Sequence, residues 1–248
     1  MAGKVYLTGA GPGDPELLTV KARRAIRRAD VILYDRLVNE EILKEGKKGV
    51  KLVYVGKEDG RHTMPQDEIN ALLYEYALEN EIVVRLKGGD PLVFGRGGEE
   101  AMYLAQRGVS FEFIPGITSA IAVAAYAGIP VTQRGINTSF RVLTGHQAAC
   151  PKCGKDHGFD PGILRENETL VVLMGLHGLK EITESLIKNG VEPSTPCAVI
   201  ENGTTDKQKC VVSTVEGIVE ASIGMGSPAI IIVGETVSLR DKLRWFDV

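Results

Sequence analysis

The sequence predicts an α/β protein of two α/β domains: an N-terminal, mostly parallel sheet with flanking helices, and a C-terminal mixed-sheet domain. Three observations predict it. Short β-rich segments alternate with helix-like segments through the first half, the pattern of a parallel sheet whose crossovers are helices. Strand-like segments outnumber helical ones in the second half, which fits a mixed sheet. The chain has 248 residues, 44% hydrophobic and 25% charged, enough for one large core or two modest ones.

Lys4-Val5-Tyr6-Leu7-Thr8 reads as a buried strand, and Gly9-Ala10-Gly11-Pro12-Gly13-Asp14 as the loop after it. A helix is expected over about 15–28, with Asp14 as N-cap and Pro15 in the first turn. Strands follow at 30–34, with Asp35 at the carboxyl end, and at 51–55, ending at Gly56-Lys57. A helix over about 66–79 leads to a strand at 82–86, punctuated by Lys87-Gly88-Gly89-Asp90-Pro91. A helix near 98–106 and a strand at 111–114 complete the alternation. Asp14, Asp35, Lys57, Asp90 and Gly116 then all fall at carboxyl ends of strands, where parallel sheets build their binding crevice. In the second half, strands are expected at 141–144, 169–173, 197–200, 210–213 and 229–233, with helices near 178–188 and 214–221. The domain boundary is placed within 115–135, at Pro115-Gly116 or Ile129-Pro130, giving 1–116 and 117–248. Residues 149–162 form the most irregular segment.

Composition excludes several classes. The longest apolar runs, 120–126 and 229–233, fall short of the ~20 residues of a membrane helix. No charged and apolar leader opens the chain, so no signal peptide is expected. Four cysteines do not make a disulfide scaffold, and a reducing cytoplasm fits best. A net charge of -3 argues against general nucleic-acid binding, while a local basic cleft can still hold a small anion.

The strand–glycine loop–helix start resembles a dinucleotide fold only in part. Gly9-x-Gly11 fits the fingerprint, but Asp14 stands where its last glycine belongs. Pro12 removes a backbone donor, and Asp14 puts negative charge where a pyrophosphate would sit. A cofactor without phosphate suits the loop better. S-adenosylmethionine is one: its sulfonium is stabilised by nearby oxygens, and Gly88-Gly89-Asp90 offers backbone and a carboxylate in close approach. An ordinary turn explains the same three residues.

The ordered motifs are specific as a set: Gly9 to Asp14, Tyr34-Asp35-Arg36-Leu37-Val38, Val55-Gly56-Lys57, Val84-Arg85-Leu86-Lys87-Gly88-Gly89-Asp90-Pro91 and Phe94-Gly95-Arg96-Gly97-Gly98-Glu99-Glu100. Pro115-Gly116-Ile117-Thr118-Ser119, Thr144-Gly145-His146, Met174-Gly175-Leu176, Glu201-Asn202-Gly203-Thr204 and Leu239-Arg240-Asp241-Lys242-Leu243-Arg244-Trp245-Phe246 continue it. Over nearly its whole length the chain resembles the uroporphyrinogen-III C-methyltransferases of the tetrapyrrole methylase family. The resemblance implies a homodimer with S-adenosyl-L-methionine in the cleft between two domains and S-adenosyl-L-homocysteine as product. It implies methylation of uroporphyrinogen III at C2 and C7 to precorrin-2, for sirohaem and cobalamin biosynthesis. Without the oxidase and chelatase module of fused relatives, the chain should stop there. Cofactor positions carried over are Pro12, Gly88, Gly89, Asp90, Val93, Thr118, Ser119, Met174 and Gly203, with Ala198 and Ala229 as additions. The resemblance gives Asp35 as proton acceptor and Lys57 as proton donor.

Methyl transfer from a sulfonium is a displacement that alignment accelerates, and the alkylated ring must lose a bridge proton, which a carboxylate can accept. The bland readings are that Asp35 caps a loop or pairs with Arg36, that Lys57 binds a carboxylate, that Met174 fills a core, and that Thr118 and Ser119 cap a helix. Arg36, Arg61, Arg85, Arg96, Arg134 and Arg141 are candidate partners for the substrate's acetates and propionates. The basic run 21–28 reads as a solvated helix face. Cys150 and Cys153, flanked by His146 and His157, have the shape of half a zinc site, but a second pair is missing and no metal is expected. Cys197 and Cys210 read as core residues. Alternatives remain open: a methyltransferase for a later precorrin intermediate, a nicotinamide-dependent oxidoreductase, or a non-catalytic adenosyl-ligand sensor. No nucleic acid, membrane or protein partner beyond a second copy is expected.

Overall fold

A computed structural model describes residues 2–56, 64–145, 159–162, 165 and 167–246. The chain divides into two compact units, Met1–Thr118 and Ser119–Val248.

The N-terminal unit contains β1 (Lys4–Gly9), α1 (Val20–Arg28), β2 (Val31–Tyr34), α2 (Glu40–Leu43), β3 (Lys51–Tyr54), α3 (Gln66–Glu79), β4 (Ile82–Lys87), α4 (Gly97–Ala105) and β5 (Ser110–Ile114). Its sheet has the order β3-β2-β4-β1-β5, and every pair in it is parallel. Both faces are covered. Val84 and Leu86 of β4 join Ile26 of α1 and Ile32 of β2 in one apolar cluster. Val83 joins Leu7, Leu33, Leu73 and Leu104 in the other. Side chains alternate along a strand, so Arg85 and Lys87 share the face of Val83, under α3 and α4.

The single helix expected over 15–28 is broken. A 3-10 turn at Pro15–Leu17 ends at extended Leu18, and Thr19 then caps α1 by accepting from the Ala22 N–H at 3.2 Å. The sequence reading missed Thr19 as a second N-cap. Asp14 caps as expected, its Oδ1 accepting from Glu16 N at 2.8 Å. Short α2, capped by Asn39, was not anticipated. The helix over 66–79 was read with its observed bounds.

The C-terminal unit contains α5 (Ser119–Tyr126), β6 (Ser139–Thr144), β7 (Glu168–Leu173), α6 (Leu179–Lys188), β8 (Pro196–Glu201), β9 (Lys209–Thr214), α7 (Ile218–Ala221), β10 (Ala229–Val233) and α8 (Arg240–Leu243). Its sheet runs β6-β7-β10-β8-β9. β6 and β7 are parallel, while β10 is antiparallel to both its neighbours and β9 to β8, the mixed sheet the sequence predicts. The helix expected from 214 begins at Ile218 instead. Thr214 closes β9, and its hydroxyl accepts from Gly217 N at 3.2 Å. The apolar run 120–126 is helix α5, whose Ala120, Val123 and Ala124 pack on Ile200, Ile230 and Ile232. Among the described residues no helix is long and apolar enough to cross a membrane.

Candidate functional site

At the carboxyl ends of β1, β4 and β5, four glycines bring backbone against backbone. Gly11 N donates to Gly89 O at 3.2 Å and Gly89 N to Gly11 O at 2.6 Å, joining the loops after β1 and β4. A Cβ on Gly116 would lie 2.2 Å from Gly89 O, and one on Gly9 2.5 Å from the same atom. Permission for a tight turn is therefore not the whole reason for these glycines: Gly9 and Gly116 are required by close approach. Asp90 locks the arrangement. Its Oδ1 accepts from Leu92 N at 2.8 Å and its Oδ2 from Gly116 N at 3.1 Å.

The residues that form this rim, 10–14 and 88–94, include Asp14 and Asp90 but no lysine or arginine. Pro12, Gly88 and Gly89 are half-buried, and Leu92, Val93 and Phe94 are exposed. Phe94 and Arg96 hold left-handed φ angles of 52° and 59°, strain of the kind that gathers at ligand loops. Anionic oxygens beside apolar surface suit a ligand with hydroxyls, an aromatic base and a positive centre. A pyrophosphate would find neither cations nor a free helix N-terminus here.

Beneath the rim lies a cluster of buried charges. Arg85, Lys87 and Glu100 are 3%, 4% and 0% exposed. Glu100 Oε1 accepts from Arg85 Nε at 3.1 Å, Lys87 Nζ at 2.9 Å and Gln66 Nε2 at 3.3 Å. Arg85 also donates through Nη1 to Leu86 O at 3.0 Å and through Nη2 to Asp35 Oδ2 at 3.3 Å. Two cations thus face two carboxylates, which offsets part of the cost of burying them. Burial pushes the Lys87 ammonium below its ordinary pKa, the neighbouring Arg85 adds to that, and Glu100 opposes it. Asp35 Oδ1 and Glu100 Oε2 are buried and have no hydrogen-bond partner among the described residues.

This geometry corrects two expectations. Asp35 does not pair with Arg36: its side chain is held by Arg85, while its carbonyl receives Val38 N. Arg85 is no free partner for substrate carboxylates, because three of its nitrogens are already engaged. Arg96 is paired through two nitrogens with Glu99, at 2.8 and 2.7 Å, and Arg141 with Glu168 at 2.6 Å. Arg36 and Arg134 are exposed. Lys57 and Arg61 lie outside the described residues, as do His146, Cys150, Cys153 and His157.

The sequence reading missed Glu100 and Gln66 as members of this buried cluster. Two signals carried Glu100. In α4 the buried residues are Gly97, Glu100, Ala101 and Leu104, so its i, i+3, i+4, i+7 spacing puts a carboxylate in the apolar stripe. The second is the parity of Arg85 and Lys87 with Val83.

In the C-terminal unit, Met174 follows β7, Gly203 follows β8, and Ala229 opens β10. The antiparallel registers Ile230↔Leu173 and Ala229↔Glu201 bring all three to one end of the sheet. Met174 is not core filler: it is 53% exposed and holds a φ of 56°. A Cβ on Gly203 would lie 2.2 Å from Val123 Cγ1, so the chain there rests against α5. Ala198 lies apart, fully buried in mid-strand among Val123, Ile200 and Ile230. Thr118 closes the first unit, and Ser119 is the first residue of α5. Cys197 is buried, and burial raises its thiol pKa. Cys210 packs half-buried against the core.

A parallel sheet with a glycine rim that carries two acids and no cation suits a nucleoside-type ligand better than a dinucleotide. The comparisons narrow this further. The profile of the Tetrapyrrole (Corrin/Porphyrin) Methylases matches residues 4–219, and the chain belongs to that family. It is 50% identical to a uroporphyrinogen-III C-methyltransferase of Bacillus subtilis over 99% of this chain and 95% of that protein. It is 48% identical to a siroheme synthase of Pseudoalteromonas atlantica, of which it spans 52%. The crystal structure of a Thermus thermophilus uroporphyrin-III C-methyltransferase complexed with S-adenyl homocysteine is similar at a TM-score of 0.81 and 42% identity, over 96% of this chain and all of that one.

Proposed function

We propose that the chain is an S-adenosyl-L-methionine-dependent methyltransferase that methylates uroporphyrinogen III at C2 and C7, yielding precorrin-2 for sirohaem and cobalamin. The end-to-end match to the Bacillus subtilis enzyme carries this reading. The rim supports it: Pro12, Gly88, Gly89, Asp90 and Val93 supply backbone, a carboxylate and apolar surface, a chemistry that fits this donor. Thr118, Ser119, Met174, Gly203 and Ala229 complete the proposed cofactor set. Ala198 contributes by packing, since its side chain is sealed in the core. When bound, the cofactor supplies an electrophilic methyl group.

The chain's own residues then align and deprotonate. Asp90 holds the loops after β4 and β5 in one arrangement, which fixes the rim before any ligand arrives. Asp35 accepts the bridge proton on its partly exposed carboxylate, which Arg85 holds at Oδ2. Lys57 donates a proton or steadies charge beside it. The exposed Arg36 and Arg134 are available to carboxylates at the substrate's edge. The enzyme works as a homodimer in the cytoplasm.

Anaerobic incubation of the protein with S-adenosyl-L-methionine and uroporphyrinogen III, followed by mass analysis, tests the reading. Gain of two methyl groups is expected. Cofactor binding with no methylation would instead move the substrate to a later precorrin.

A further inference from the structure

The cluster under the rim uses more charge than holding a sheet requires. Strand β4 could end on apolar residues, as β10 does, and well-packed apolar residues generally stabilise a core at least as well as a buried ion pair. Three contacts immobilise the Arg85 guanidinium: Glu100 on Nε, Leu86 O on Nη1 and Asp35 on Nη2. A planar guanidinium fixed at two edges fixes the direction of the third. Asp35 therefore meets a preset donor, which takes Oδ2 and leaves Oδ1 buried without a donor among the described residues. The Asp35 side chain is still 26% exposed, so a carboxylate held at one oxygen can meet a ligand as an oriented acceptor. Glu100 also engages Lys87, so its carboxylate sets where both cations of β4 lie.

We infer that Glu100, acting through Arg85, is a positioning residue for catalysis: it orients the Asp35 carboxylate by fixing the donor on its Oδ2. The inference rests on the reading of Asp35 as proton acceptor. Glu100 touches neither the rim loops nor the proposed cofactor residues by any hydrogen bond in the described structure, and its role is to hold Arg85 in line.

A double-mutant cycle on the intact protein tests it, with kcat, KM for both substrates and cofactor Kd measured for each variant. Glu100→Gln keeps the shape and removes the charge. It should lower kcat about 10- to 100-fold, the scale of a small misplacement of a reacting group, with cofactor Kd and both KM values near those of the parent. In an Asp35→Asn background the same change should cost less than about twofold, because residues acting as one unit are non-additive. Glu100→Asp, which restores the charge, should recover part of the lost kcat. If Glu100→Gln does not fold, Arg85→Lys carries the same cycle, since it keeps the charge and loses the fork. Full additivity on an impaired Asp35→Asn enzyme would overturn the positioning role and leave the base intact. A fully active Asp35→Asn enzyme would overturn both.

Discussion

Strands β4 and β10 each occupy the middle of a five-stranded sheet, yet they are filled in opposite ways. β10 reads Ala-Ile-Ile-Ile-Val, with its last four residues at most 5% exposed. β4 reads Ile-Val-Val-Arg-Leu-Lys, and both of its cations are buried. The C-terminal unit also buries polar groups, but among the described residues it satisfies them. Asn137 Nδ2 donates to Val131 O at 2.8 Å, and to Ser139 O and Thr169 Oγ1 at 3.0 Å, and Thr169 and Thr236 share a hydroxyl contact at 2.9 Å. The buried side-chain atoms without a hydrogen-bond partner among the described residues are Arg23 Nε, Asp35 Oδ1 and Glu100 Oε2, all in the N-terminal unit. Arg23 Nε still has Glu45 at 3.7 Å, so the two bare oxygens belong to the β4 cluster. Unsatisfied polarity gathers where chemistry is proposed, and satisfied polarity where the fold needs specificity.

Three substitutions sharpen this contrast. Gly116→Ala should have the largest effect on stability. Its Cβ would meet the carbonyl of Gly89 at 2.2 Å, and backbone cannot swing aside as a side chain can, so a loss of about 3 kcal/mol or more is expected. Thermal unfolding and cofactor titration read it, and an unaltered melting point would show that the glycine rim is not close-packed. Asn137→Ala should cost about 1–3 kcal/mol by stranding buried acceptors while leaving kcat unchanged. A fall in turnover without a fall in stability would erase the distinction between the two units. Glu112→Gln is the mildest. The Glu112 carboxyl is held down to about 2, first by Lys21 and then by Lys4. A depressed acid contributes its stability above the ordinary carboxylate value near 4.5 and loses it as pH falls through about 2. With 29% of the side chain exposed, about 0.2–1 kcal/mol per ion pair is expected. Urea midpoints of parent and variant should differ at pH 7 and converge towards pH 2; a pH-independent gap would remove the ion pairs as the cause.

The strands and the long helix α3 were legible in the sequence because their apolar period is strong and their flanks carry turn residues. The break at Leu18 was not, because the apolar period alone runs on from residue 15, and only the N-cap at Thr19 marks the restart. The carboxyl-end positions of Asp35 and Asp90 followed from the alternation of elements. Their actual partners did not, since Arg85 is 50 residues from Asp35 and Gly116 is 26 from Asp90 in sequence. Met174 illustrates the converse: residue type alone reads as core, yet the residue is 53% exposed and sits at a left-handed φ of 56°.

The most direct test of the claim that the polar end of β4 serves chemistry is Asp35→Asn, with single-turnover methylation and cofactor affinity measured on the same preparation. Turnover should fall about 10²- to 10⁴-fold, the usual contribution of a general base, with S-adenosyl-L-methionine bound as tightly as by the parent. Full turnover, or cofactor affinity and thermal stability lost in step with it, would instead make the cluster a piece of the fold.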